Sequence, residues 1–99
     1  MLYAIFGIDK PNSLALRLET RAAHLARINE LVQSGRLVLA GPHPAIDSSD
    51  PGEAGFSGSL IIAEFPSLDD AKSWAEADPY ATQGVFEKVT VKPFKQVLP

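Results

Sequence analysis

Ninety-nine residues, 45% hydrophobic and 21% charged, make a globular chain of one-domain size that buries roughly two thirds of its unfolded surface. Nine basic against 12 acidic residues leave a net charge of −3 with no Lys/Arg run, which argues against a phosphate-tracking surface and a nucleic-acid partner. The absence of cysteine excludes disulfides, thiolate catalysis and zinc–sulfur sites.

The chain opens with MLYAIFGIDK, which lacks a basic leader region and whose apolar run is too short to span a bilayer. A cytoplasmic location with no membrane partner is the expectation, for a single domain over 1–99. Residues 2–8, LYAIFGI, read as a strand, and DKPNS as a loop. From about Leu14 to Ser34 the apolar positions Leu14, Leu18, Ala22, Leu25, Ile28 and Val32 step by three or four, which predicts a helix with Gly35 at its C-terminal end. RLVLAG, 36–41, is a second strand ended by GPHP, and residues 44–57 form a long loop of the kind that is often functional and mobile. GSLIIAEF, 58–65, is a third strand. PSLDDAKSWAEAD is a second helix with Ser67 as N-cap, and VFEKVTVKPFKQV, 85–97, is a fourth strand that Pro93 places at an edge.

The order β-α-β-β-α-β predicts an α+β ferredoxin-like sandwich on an antiparallel sheet ordered 4-1-3-2. Strands 1 and 3 are apolar on both faces, yet two helices cover only one face of such a sheet. A second copy of the chain, packed sheet to sheet, resolves the conflict, so a homodimer is expected.

His24 falls roughly 80° from the apparent centre of the helix stripe, near Leu25 and Val32, on the flank with Ile28 and Leu31. A lone histidine there is usually a packed boundary residue, and alternatively a general base. Asp78 precedes Pro79, so it ends one helix and can cap a one-turn successor; it is also the plausible carboxylate partner for His24. Arg17 and Arg21 are either a solvated edge, paired with Glu19 or Asp9, or an anion clamp beside the histidine. His24, His43 and Asp78 lack the short spacing of a metal site, so no metal is expected.

The runs RLETRAAHLARINELVQSGRLVLAGP, 17–42, and DPYATQGVFEKVTVKPF, 78–94, with the opening strand and DKP, resemble the YciI-like (YCII-related) family over nearly the whole chain. The most specific matches are Arg17, Arg21, His24 and Leu25; Gly41-Pro42; Gly58-Ser59; and Asp78-Pro79-Tyr80 with Gly84. The resemblance implies a dimeric α+β barrel, similar to muconolactone isomerases and other small barrel enzymes of aromatic degradation. It also implies an active site at His24 and Asp78, with Arg17, Arg21, Ser59 and Tyr80 as residues that hold an anionic small molecule. Two functions follow as expectations: a cofactor-free isomerase or lyase in which His24 removes a proton, or a non-catalytic dimeric module that binds a small ligand or a partner.

Overall fold

The structure, a computed structural model, describes all 99 residues. Its elements are β1 (Leu2–Asp9), α1 (Leu14–Gln33), β2 (Leu37–Pro44), β3 (Phe56–Glu64), α2 (Leu68–Glu76), α3 (Pro79–Thr82) and β4 (Phe86–Phe94), with a 3₁₀ turn at Gly52–Ala54. The sheet runs β2-β3-β1-β4, and every neighbouring pair is antiparallel. This is the ferredoxin-like arrangement the element order predicts.

Boundaries differ where proline or local capping decides. β2 continues through Pro42 and Pro44, beyond the expected stop at Gly41. As an edge strand it has one side without ladder bonds, where a missing N–H costs nothing. The connection to β3 shortens to residues 45–55 accordingly. Ser67 caps α2 as expected, accepting from the Asp70 N–H at 3.1 Å. Gly35, just past α1, has φ +70, the left-handed geometry that suits glycine.

The period-two alternation of β1 sorts its side chains. Tyr3 and Ile5 enter the helix-side core with Ile28, Leu31, Ile61 and Phe65. Phe6 and Ile8 point to the opposite, open face. α1 corrects the sequence reading. Its inward row is Arg17, Thr20, His24, Ile28 and Leu31, while Leu18 and Val32 are more than half exposed and Leu25 is 37% exposed. The buried row has helical periodicity but carries three polar residues, so counting apolar positions rotated the helix. His24 is therefore on the buried face, not on its flank.

A second small cluster, Tyr80, Val85 and Phe86, lies where α3 turns into β4. A Cβ at Gly7 would stand 2.4 Å from the Phe86 ring, so the bare backbone of β1 makes room for that ring. Phe86 in turn meets Tyr80 edge-on, with ring centroids 5.5 Å apart. The glycine thus sets the floor on which the site is built.

Candidate active site

Asp78 is extended, with φ −63 and ψ 139, and Pro79 occupies the first position of α3. Its Oδ2 accepts from the Tyr80 N–H at 2.9 Å, which makes it the N-cap. The same oxygen lies 2.8 Å from His24 Nδ1. Both residues are buried, at 6% and 2% exposure. An ionised carboxylate only accepts, so Nδ1 carries the proton and donates, and Nε2 keeps a lone pair when the ring is neutral. Asp78 is thus cap and histidine partner at once.

Arg27 is a third member that sequence reasoning missed. Its Nη1 donates to Asp78 Oδ1 at 3.3 Å and to the Trp74 carbonyl at 2.9 Å. Its guanidinium lies 4.4 Å from the Trp74 ring centroid. It stands three positions after His24, which puts both on adjacent turns of one helix face; that spacing was the available signal.

Tyr80 stacks on the His24 ring, with centroids 4.0 Å apart and planes 11° from parallel. The Arg17 guanidinium is 4.6 Å from the same Tyr80 ring. Arg17 and His24 stand seven residues apart, about 10.5 Å along the helix, which leaves space for one ring between them. Burial raises the Tyr80 phenol above its ordinary value; the positive charges of Arg17 and Arg21 oppose this, and Asp78 adds slightly to it.

His24, Arg21, Leu25, Ile28, Ala40, Pro42, Ser59 and Ile61 are among the residues that line a cavity of about 260 Å³ between α1 and the β2–β3 edge of the sheet. Gly41 belongs to the same wall. Arg21 is exposed and forms none of the chain's ion pairs, so its charge is free at the cavity. Arg17 takes the Asp9 pairing that was one of its two expected readings, and Tyr80 packs on the His24 ring. Neither lines the cavity. Arg17 is buried and grips both Asp9 oxygens, at 2.7 and 2.9 Å, and donates to Ser59 Oγ at 2.8 Å. Nε and Nη2 are thus engaged by the protein, while Nη1 has no hydrogen-bond partner within the chain. His43 lies away from this group, in a depression with Phe6, Ile8, Thr90 and Lys92 on the open face of the sheet.

The sequence model of the YCII-related domain matches residues 1–95. Protein YciI of Escherichia coli is 60% identical over 97 residues, 98% of this chain and 99% of that protein. An uncharacterised protein of Haemophilus influenzae is 54% identical over the same coverage. Among solved structures, the chain is similar to 5-chloro-2-hydroxyhydroquinone dehydrochlorinase (TftG) of Burkholderia phenoliruptrix, in complex with 2,5-dihydroxybenzoquinone. The TM-score is 0.83 at 31% identity, over 96% of this chain and 94% of that one.

Proposed function

The chain belongs to the YCII-related family, and on that premise we propose that it is a cofactor-independent isomerase or lyase acting on a small ring compound, a lactone or a hydroxylated aromatic or quinone. His24 is the general base and Asp78 its orienting partner. The observation that carries this reading is the buried His24–Asp78 pair beside a cavity with one free cation. Asp78 holds the imidazole by Nδ1, and Nε2 takes the proton. The imidazolium that forms then rests against a carboxylate. In the lyase form, the proton passes to Nε2, its electron pair enters the ring and a halide or hydroxide leaves. In the isomerase form, the proton returns to a different atom. Arg21 holds a negative group of the substrate at the cavity.

The cavity is smaller than the roughly 300–1,000 Å³ of pockets for drug-sized ligands, which suits one substituted ring. TftG, named for dehydrochlorination of a chlorinated hydroxyhydroquinone, supports the lyase form. The working unit we propose is a homodimer joined through the open sheet face.

The test is chloride release and ring absorbance with 5-chloro-2-hydroxyhydroquinone, alongside a panel of small lactones. Turnover that falls about 10²–10⁴-fold in His24→Gln is expected, the range for loss of a general base. Turnover unchanged in that variant would overturn the assignment. Tight binding of these rings without turnover would leave the chain a ligand-binding module.

A further inference from the structure

The Ser59 hydroxyl has one proton to give, and its surroundings fix where that proton goes. Arg17 Nη2 donates to Ser59 Oγ at 2.8 Å, and this is the one hydrogen bond that the Ser59 side chain makes within the chain. A guanidinium has no acceptor, so Arg17 can act on Ser59 only as donor. It cannot swing away either. Nε and Nη2 are held by both oxygens of Asp9, and the guanidinium lies against the Tyr80 and Phe56 rings at 4.6 and 5.5 Å. Ser59 is 4% exposed, and it lines the cavity that His24 and Arg21 share. With a lone pair engaged from behind, the O–H is left to donate into that cavity.

We propose that Ser59 is the hydrogen-bond donor to the substrate oxygen that becomes negative when His24 removes a proton, and that Arg17 and Asp9 are positioning residues that set its direction. The proposal rests on His24 being the base. In the step, a C–H or O–H bond of the substrate breaks and the proton binds His24 Nε2. The electron pair moves through the conjugated ring onto the oxygen facing Ser59. No bond to Ser59 forms; its hydrogen bond shortens as charge gathers. This narrows the substrate class to planar rings that carry a carbonyl or ionisable hydroxyl conjugated with the acidic position, such as hydroxyquinones and unsaturated lactones. A ring without that oxygen has nothing for Ser59 to bind.

Absorbance titration of 2,5-dihydroxybenzoquinone into the full-length protein tests this. Ser59→Ala should weaken binding about 10- to 100-fold, the cost of losing a hydrogen bond to a charged oxygen. Arg17→Lys keeps the charge but not the planar fork, and should weaken binding in the Ser59 background while having little further effect when Ser59 is already alanine. Equal losses in both backgrounds would reduce Arg17 to a structural residue, and unchanged binding in Ser59→Ala would overturn the donor. If the wild-type protein does not take the hydroxyquinone, the functional reading above falls, and an unliganded crystal structure decides the donor separately. A cavity water or solute about 2.6–3.0 Å from Ser59 Oγ is then expected. An Oγ turned instead onto a protein carbonyl would overturn the assignment.

Discussion

Asp78 Oδ2 accepts from both the Tyr80 N–H and the His24 ring, and Oδ1 faces Arg27. This division makes Asp78→Asn informative. Asparagine caps helices as well as aspartate does, so its carbonyl oxygen should stay on the Tyr80 N–H and the fold should hold. That one oxygen serves both donors, so it stays on His24 Nδ1 as well, and the amide NH₂ takes the place of Oδ1 opposite the Arg27 guanidinium. The ring keeps its tautomer, but the imidazolium formed on proton uptake no longer rests against a negative charge. Ring-nitrogen NMR shifts should report the same Nδ1–H tautomer, while any turnover should fall by up to about 10²–10⁴-fold. Unchanged turnover would leave Asp78 as a helix cap alone. Tyr80 gives a second test. Its phenol is raised in the folded chain, chiefly by burial. As pH climbs past the ordinary value of 10.0, the unfolded chain loses that proton first and the folded chain keeps it. The unfolded state then binds fewer protons, so stability is intact below about pH 10 and falls above it. Urea midpoints should drop less on alkalinisation in Tyr80→Phe than in the wild type; equal drops would mean that burial of this phenol has no part in the loss.

At the scale of elements, α1 shows what the sequence makes legible and what it hides. Length, caps and period placed the helix within one residue of Leu14–Gln33, because those are local properties. Its rotation was not legible. Two rows have helical spacing, one richer in apolar residues and one containing Arg17, Thr20 and His24, and the core accepted the second. A polar row enters a core only when its partners lie on other elements. Asp9 ends β1, Ser59 lies in β3 and Asp78 caps α3, so no window along the helix contains them. His24 and Asp78 were found by residue chemistry and the DPY break. Arg27 was not, because its partners are a backbone carbonyl and a carboxylate already given to the histidine. Adjacent substitutions test the rotation. Leu31 is 2% exposed and Val32 53%. Leu31→Ala should cost about 2–5 kcal/mol by urea denaturation, the range for a buried large-to-small change. Val32→Lys should stay within about 0.5 kcal/mol, as at an open surface. The reverse order would restore the stripe centred on Leu25 and Val32.

For the whole molecule, the unresolved cost is the open face of the sheet. Antiparallel register puts Phe6 beside Leu60 and Thr90, Ala4 beside Ile62 and Lys92, and Leu39 beside Ile62. Phe6, Ile8, Leu39 and Phe94 remain 37–49% exposed, together on the side that no helix covers. Scattered exposed apolar residues are ordinary, but a contiguous sheet-wide group is the pattern of an interface. Lys92 and His43 sit in a depression within the same surface, so a facing copy must satisfy or solvate them, which favours one register of packing over a slippery apolar contact. A two-fold arrangement would bring each Phe6 against the same patch of its partner, so one substitution acts twice. Phe6→Lys should therefore split the dimer. Sedimentation velocity at micromolar concentration should give a dimer for the wild type and a monomer for the variant. X-ray scattering checks the same point, since a lone chain has a Cα radius of gyration of 13.3 Å and a dimer a larger one. His24 lies on the opposite side of the sheet, under α1, so the monomeric variant should still form the His24–Asp78 hydrogen bond by NMR. A wild-type radius that stays near 13.3 Å across the concentration range would mean that this face is left to water or to a different partner.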